Sequence, residues 1–289
     1  NAVQFGGDYE VGDYYWVNDE RVVIKMVVSQ PWSKEPAYYG ELYAVNWNGK
    51  QGSMIYGYTA GEQQTGKLIK QREGIQGWAE IVDLYVKDER KIVISSTPWG
   101  QDGSRVPELL LMDVYSGKTR KISHGPASYS QFLVNDDGEP VLAYAIDEHN
   151  ERVVFRYNQK AKDWTEVPKQ KFGNDFYPIA LNETEDGVYV FDDFQQDKMG
   201  LFELKLADFA YKQVFTDAKV DITNFEATKD GNKVFAFKLD DGRPSYALFT
   251  EKYTEAKLFK ELLTTFAGDA LNITSKTKDS KLWVVYSYS

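Results

Sequence analysis

A β-type pattern recurs along this chain at nearly constant spacing. The clearest unit runs from Lys91 to Ser123, where a β-rich run, a polar loop, a second run, a Ser-Gly turn and a short third run follow one another. Similar first runs begin at residues 91, 139, 187, 233 and 281, so successive starts are 48, 48, 46 and 48 residues apart, and an earlier run begins near Arg21. A superperiod of this length indicates a fold assembled from repeated units of one kind.

Each unit holds about four short strands joined by tight turns, and a single sheet of this kind cannot bury both of its faces. Radial stacking of four-stranded sheets at a period of ~40–50 residues is the signature of a β-propeller. A β-sandwich also has frequent turns, but it shows no superperiod. The sequence therefore predicts an all-β fold, a β-propeller with four-stranded antiparallel blades, incomplete and with about five to six blades.

The same pattern gives approximate blade boundaries within one propeller domain, 1–289. The blades are expected at 11–76, 77–126, 127–173, 174–219 and 220–268, with a partial blade at 269–289. The segment from Glu255 to Phe266 departs from the strand pattern, because Leu258, Leu262 and Phe266 recur at i, i+4 and i+8. That segment fits either a short helix in a connector or part of a return strand.

The composition excludes several classes of function. The net charge is −10 and the pI about 4.9, and no Lys/Arg-rich stretch stands out, so no nucleic-acid partner is expected. The chain has no cysteine, which excludes disulfides, thiolate zinc sites and cysteine nucleophiles. Since no apolar run approaches the ~20 residues of a membrane span, we expect a soluble protein with no membrane partner. Its compartment, cytoplasmic or periplasmic, stays open.

Residues for serine or imidazole chemistry are scarce. No serine has glycine two positions before it and two after it, so the nucleophile elbow of an α/β-hydrolase is missing from the sequence. The two histidines, His124 and His149, follow a return strand and lie in a polar loop. A solvated side chain is a simpler interpretation of each than a general base. We therefore predict no catalytic residue, no cofactor and no metal site in this chain.

Carboxylates are the remaining catalytic alternative, because paired acids that project into a propeller channel could hydrolyse glycosides. Candidates near the inner strands are Glu80, Asp83 and Glu226, although the sequence pattern does not separate them from the other acids. The Asp-Asp-Gly elements at 136–138 and 240–242 resemble metal loops. Turn chemistry explains them more simply.

Two loop aromatics occupy equivalent points of the first two meanders. Trp32 lies in QPWSKEP and Trp99 in TPWGQDG. Binding residues concentrate on loops, so an aromatic ring at such a point can face a ligand. Packing within the loop is the alternative, and both residues remain candidate substrate-binding residues.

The amino-acid sequences of the repeats resemble those of a known protein family. The segments YYWVNDERVVIKM, ELYAVNWNGK, ELLLMDVYSGKTRKI, FLVNDDGEPVLAYA, GLFELKL and TSKTKDSKLWVVYSYS resemble the N-terminal β-propeller of the prolyl oligopeptidase family of serine peptidases, and most closely its acylaminoacyl-peptidase-like branch. The resemblance extends from about Asp13 to Ser289. Each motif is degenerate, while their order and the blade spacing are more specific.

In that family an α/β-hydrolase domain with Ser, Asp and His follows the propeller, which limits the active site to short or unfolded peptides. The resemblance implies a non-catalytic, substrate-gating propeller whose partners are a peptide substrate and the α/β-hydrolase domain. This chain departs from the family pattern because it ends before any catalytic domain, so no catalytic residue carries over. We expect a fragment of a larger peptidase that is inactive alone. Arg105 or Arg243 could then hold a peptide carboxylate.

Open blade edges expose unpaired backbone groups. If the ring is incomplete, we expect self-association through the edges of its first and last blades. Two other functions stay open beside the peptidase propeller. One is a stand-alone propeller that acts as a protein-interaction scaffold, and the other is a channel-site glycosidase that uses carboxylates.

Overall fold

The computed structural model of this chain describes residues 4–61, 74–84, 87–100, 104–229, 231, 233–277 and 279–288. Within these residues the secondary structure is almost entirely β, with 21 strands, two short 3-10 helices and one α-helix. The chain divides into two compact units, residues 1–166 and 167–289.

The first unit contains three four-stranded antiparallel sheets, in each of which strands adjacent in sequence are adjacent in the sheet. The first sheet has β1 (Tyr9–Trp16), β2 (Arg21–Val28), β3 (Ala37–Asn46) and β4 (Ser53–Tyr56). The second has β5 (Gly77–Asp83), β6 (Lys91–Pro98), β7 (Glu108–Asp113) and β8 (Thr119–His124). The third has β9 (Gln131–Val134), β10 (Pro140–Ile146), β11 (Arg152–Asn158) and β12 (Asp163–Glu166).

The second unit continues the same order of strands. Its four-stranded sheet has β13 (Tyr177–Leu181), β14 (Gly187–Asp192), β15 (Gly200–Lys205) and β16 (Tyr211–Phe215). A three-stranded sheet of β17 (Ile222–Ala227), β18 (Val234–Asp240) and β19 (Pro244–Leu248) is followed by α1 (Thr254–Thr265). A two-stranded sheet has β20 (Ala270–Lys276) and β21 (Trp283–Tyr288).

The second strand of every sheet starts at, or within two residues of, a first run predicted from the sequence. The predicted all-β fold, a β-propeller with four-stranded antiparallel blades, is confirmed, and four of the described sheets have all four strands. The second strands β2, β6, β10, β14 and β18 are apolar on both faces, as expected of strands that neighbouring blades cover, whereas β21 alternates between partly buried and exposed residues. In β2, for example, Val23, Ile24 and Met26 are all buried.

The segment after β19 is a helix, and the interpretation as a return strand is wrong. Its Ala, Leu, Lys and Glu residues have high helix propensity. Of the predicted stripe of Leu258, Leu262 and Phe266, Leu262 packs against the core around Phe235, whereas Phe266 is 38% exposed. The fully buried residues of the helix are Ala256 and Phe259, which pack against Phe235. The helix therefore covers the sheet by its Ala256–Phe259 face.

Within each unit, hydrophobic cores lie between successive sheets. In the first unit, Val23 and Leu42 of the first sheet share one core cluster with Ile92 and Met112 of the second. In the second unit, Phe191 of β14 and Phe237 of β18 pack with ring centroids 6.0 Å apart. Burial of such side chains against a neighbouring sheet stabilises each by about 1.5–3 kcal/mol, which explains why no sheet is expected to be stable alone.

Gly40 allows the first two sheets to approach closely. It has a φ of +91° within β3, and a Cβ at this position would overlap the backbone of Gly77 and Trp78 in β5. Only glycine combines this dihedral angle with the absence of a side chain. Gly40 therefore sets the distance between these two blades.

Candidate functional site

The structure brings together two of the four predicted substrate-binding residues. Trp99 follows the end of β6, and Arg105 precedes β7, so both lie in the connection between these strands. Residues 101–103 of this connection are outside the described part of the chain. Trp32 lies in the corresponding connection of the first sheet, where it is 82% exposed. Arg243 lies in the tight β18–β19 turn of the second unit.

Trp99 packs in an aromatic cluster with Tyr58 and Trp78. Its ring centroid is 6.0 Å from that of Trp78, in an edge arrangement, and 6.4 Å from that of Tyr58. The guanidinium carbon of Arg105 lies 5.9 Å from the Trp78 ring centroid, within the range of a cation–π interaction. We call these four residues the Trp99 site.

The β5–β6 ladder fixes the position of this site. Trp78 pairs with Thr97 in the ladder, and the amide of Trp99 donates to the carbonyl of Gln76 at 3.0 Å, which extends the pairing beyond the last strand residue. The indole rings of Trp78 and Trp99 therefore both lie at one end of the paired strands β5 and β6. Sites on regular elements are held more precisely than sites on loops alone.

The Trp99 site offers hydrogen-bond donors. Within the described residues, the buried Nε1 of Trp99 has no acceptor, an exception to the pairing of almost all buried polar atoms. Nη1 of Arg105 donates to the carbonyls of Gly100 and Ser104 at 2.9 and 3.0 Å. A guanidinium has five N–H donors, so such a group can also bind a carboxylate. The arrangement suits a ligand with an acceptor group and an apolar part.

The candidate carboxylates lie in different surroundings. Glu80 is exposed and forms an ion pair with Lys25, with Nζ and Oε2 2.5 Å apart. Asp83 is half-buried at the end of β5. Burial raises the pKa of Glu226 in β17 to about 7, although Lys276 and Lys238 oppose that rise. A raised carboxyl pKa is common at functional sites and is also found in structural networks.

Asp192, which sequence reasoning missed, is a fully buried carboxylate in the second unit. It ends β14, and its two oxygens accept hydrogen bonds from the amides of Gly173 and Asp193 and from the Tyr211 phenol. Burial raises its pKa to about 6 despite these donors. The sequence signal was the first acid in FDDF, which is indistinguishable from a turn aspartate without the fold.

The histidines lie on the surface. His124 is the last residue of β8, so it belongs to a strand and not to the loop after it, and His149 lies in the β10–β11 connection. Their side chains are 64% and 75% exposed. Among the described residues, no group of three or more His, Cys, Asp or Glu side chains is arranged to hold a metal ion.

None of the helices in the described ranges has the length and apolar character needed to cross a membrane.

Comparison with known proteins finds structural similarity but no sequence match. No protein-family model matches the chain, and no curated protein sequence matches it. A prolyl endopeptidase structure aligns with a TM-score of 0.55 and 14% identity over 86% of this chain and 35% of its own. Prolyl oligopeptidase B from Galerina marginata aligns with a TM-score of 0.51 and 10% identity over 84% of this chain and 34% of its own.

A putative TolB from Agrobacterium tumefaciens aligns with a TM-score of 0.48 and 12% identity over 83% of this chain and 77% of its own. This chain therefore spans about a third of the two peptidases that it resembles. At these identities the likeness shows a shared β-propeller fold. The acylaminoacyl-peptidase-like branch expected from the sequence is not confirmed by these neighbours.

Proposed function

We propose that this chain is the substrate-gating propeller of a serine peptidase of the prolyl oligopeptidase type, in its acylaminoacyl-peptidase-like branch. The observation that supports this most is the alignment of 86% of the chain, with a TM-score of 0.55, on a prolyl endopeptidase structure. The catalytic Ser, Asp and His would belong to an α/β-hydrolase domain of the same parent protein. This chain would contribute access control and no catalytic residue.

The Trp99 site would contribute to peptide binding in this proposal. The Arg105 guanidinium would pair with a peptide carboxylate, while Trp78 and Trp99 would contact an apolar side chain. The Nε1 of Trp99, which has no acceptor among the described residues, would donate to a peptide carbonyl. Binding energy from such remote contacts can orient a substrate toward a distant reacting centre.

The parent reading frame tests the assignment to a peptidase. We expect the codons after Ser289 to encode a strand pattern followed by G-x-S-x-G, and we expect this 289-residue chain alone not to hydrolyse acyl-peptide substrates. A reading frame that closes shortly after Ser289 would contradict the proposal and favour the stand-alone interaction scaffold. Release of sugar from arabinan- or fructan-type substrates would favour the channel-site glycosidase.

Titration of the chain with a short acetylated peptide that has a free carboxylate tests the Trp99 site separately. We expect Trp99→Ala and Arg105→Met to weaken binding by about tenfold each, since loss of a ring contact or a charge-assisted hydrogen bond costs ~1.4 kcal/mol. Trp32→Ala and Arg243→Met are matched controls and should leave the affinity unchanged. Equal effects of both pairs would refute the assignment of this site.

A further inference from the structure

A cleft of about 750 Å³ lies between the outermost strands of the second and third sheets. One wall comes from β8 and the two residues after it, and the other from β11 and β12. Binding pockets for small ligands range from about 300 to 1,000 Å³, so the cleft is large enough for a ligand of two or three sugar rings. We call it the β8–β12 cleft; it shares no lining residue with the Trp99 site.

The β11–β12 wall is aromatic. Tyr157 and Trp164 are directly opposite each other in the ladder, and their ring centroids are 4.8 Å apart at 62°. Phe155 lies two residues before Tyr157, and since side chains alternate along a strand, all three rings lie on one face of the sheet. They form a continuous apolar surface on one side of the cleft.

The Trp164 ring is held in place before any ligand binds. Its Nε1 donates to the carbonyl of His124 on the opposite wall at 2.7 Å, and Phe132 packs against it with ring centroids 6.0 Å apart. A side chain fixed from two directions loses little conformational freedom on binding. The aromatic wall is therefore preorganised.

The rim is polar and has both signs of charge. Nζ of Lys121 lies 3.1 Å from Oε1 of Glu108 and 3.1 Å from Nε2 of His124. Lys162, Asp163 and Glu166 line the other side. The charges of the two lysines and the two acids among the lining residues cancel. Such a rim can donate and accept hydrogen bonds, and it favours no net charge on the ligand.

We propose that the β8–β12 cleft binds a neutral oligosaccharide, with the C–H face of a sugar ring on Trp164 and Tyr157 and its hydroxyls on Lys121, His124 and Glu166. A pyranose combines an apolar face with a rim of hydroxyls that both donate and accept. An anionic ligand would meet Asp163 and Glu166 as well as the lysines. A proline-rich peptide would match the rings, but its proline residues have no N–H donor for Asp163 and Glu166.

Indole N–H signals of the intact chain in a ¹⁵N NMR spectrum test this proposal, since the chain has seven tryptophans. The probes are cellotriose, maltotriose and mannotriose at millimolar concentration. We expect at least one to shift the Trp164 signal, assigned as the one that Trp164→Phe removes, with saturation. Tyr157→Ala should weaken that binding by about tenfold, the loss expected for ~1.4 kcal/mol of ring contact. Trp164→Ala should weaken it equally, measured by isothermal titration calorimetry because this variant lacks the Trp164 signal. Trp32→Ala should leave it unchanged.

Three results would overturn the proposal. The first is no shift of the Trp164 signal with any of the three sugars while the Trp164→Phe spectrum shows a folded chain. The second is tighter binding of trigalacturonate, which would show that the cleft selects an anion. The third is a shift of the Trp164 signal by a proline-rich peptide alone. Because Trp164→Phe keeps a ring at this position, it separates loss of folding from loss of binding.

Discussion

The phenol of Tyr211 donates a 2.7 Å hydrogen bond to Oδ2 of Asp192, a carboxylate with no exposed surface. The same oxygen accepts the amide of Gly173 at 2.7 Å, and Oδ1 accepts the amide of Asp193 at 2.9 Å. Three donors on one carboxylate usually favour its charged form, whereas loss of solvent favours the neutral form. Here burial is the larger effect and raises the pKa of Asp192 to about 6.

Asp192 should make the chain less stable as the pH rises. Its pKa in the folded state, about 6, is above the ordinary value of about 3.9 for an unfolded aspartate. The contribution of Asp192 to the free energy of unfolding is therefore fully present below pH ~4 and lost as the pH rises through ~6, by about 3 kcal/mol. Urea unfolding between pH 4 and 7 measures it.

Asp192→Asn should remove this pH dependence, even though the amide satisfies fewer of the three donors. Asp197→Asn, in the same β14–β15 connection and exposed, is the matched control and should keep the slope. A free energy of unfolding that rises between pH 4 and 6 and loses that rise in Asp192→Asn would show that the donors outweigh burial.

The contribution of Glu226 to the free energy of unfolding should also fall as the pH rises, over a range that extends to higher pH. Burial raises its pKa to about 7, so its contribution to stability is lost between pH ~4 and ~7. Glu226→Gln should raise the free energy of unfolding at pH 8 by on the order of 2 kcal/mol and leave it unchanged at pH 4. Glu251→Gln, whose acid pairs with Lys260 on the surface, should change neither value. Destabilisation by Glu226→Gln at pH 8 would contradict the expected cost of charging this residue.

Arg21 should be among the residues most sensitive to substitution in the first unit. It is fully buried, its Nε and Nη2 donate to the carbonyl of Val114 at 3.1 and 3.0 Å, and its Nη1 donates to Asn46 Oδ1 and to the carbonyl of Gln51 at 2.9 and 2.8 Å. Arg21→Met leaves these acceptors unpaired, so the free energy of unfolding should fall by ~3 kcal/mol.

Arg90 provides the control for Arg21. Its guanidinium carbon also lies over the Tyr115 ring, at 4.6 Å compared with 4.9 Å for Arg21, but its side chain is 60% exposed. Arg90→Met should cost less than ~1 kcal/mol, as is usual for exposed charges. Equal costs at the two positions, measured by chemical denaturation, would show that the ring contact matters more than the buried hydrogen bonds.

The repeat in the sequence predicted the strands because successive blades share the same pattern of apolar residues. An apolar second strand must be covered on both faces, so its pattern survives in the five units from β2 to β18, while one face of β21 is exposed. The sequence could not decide whether Thr254–Thr265 is a helix or a strand, because its apolar residues fit both periods. The buried face of this segment is the one that packs against Phe235 and Leu271. Tertiary packing decided between the alternatives.

Which residues form the sites depends on tertiary contacts and burial, which the spacing of residues in the sequence does not show. Trp99 was predicted from its Pro-Trp loop, but the contacts of Trp99 and of Arg105 with Trp78 depend on tertiary structure. Asp192 and Arg21 were missed because charged residues at strand ends are usually solvated. In this fold the neighbouring chain segments cover both of them.

Gly40→Ala should destabilise the first unit by more than ~2 kcal/mol, because it adds a clash with the backbone of β5 to the cost of a positive φ. Gly242 is the matched control, since its φ is +74° and a Cβ there would meet no atom within 4 Å. Gly242→Ala should cost only about 1–2 kcal/mol, the cost of the left-handed conformation. Thermal unfolding of both variants measures the difference, and similar costs would refute a close contact of the two blades at Gly40.

The exposed strand β21 should cause self-association of this chain. Its outward face presents Val284, Tyr286 and Tyr288, which are 61%, 59% and 46% exposed, and within the described residues β21 pairs with β20 alone. An apolar strand with a free edge is a template for pairing with another strand. In sedimentation velocity we expect the sedimentation coefficient to rise with concentration.

Charge on that face should prevent the association. Tyr286→Lys together with Val284→Lys should give a monomer at all concentrations, because a lysine on an edge strand opposes pairing. Gln213→Lys, on an exposed position of β16, adds one charge without altering the apolar strand and should leave the association unchanged. A wild-type chain that is monomeric at high concentration would refute the role of β21. Association that persists in the double variant would place the interface elsewhere, and β1, with exposed Tyr14 and Trp16, would be the next strand to test.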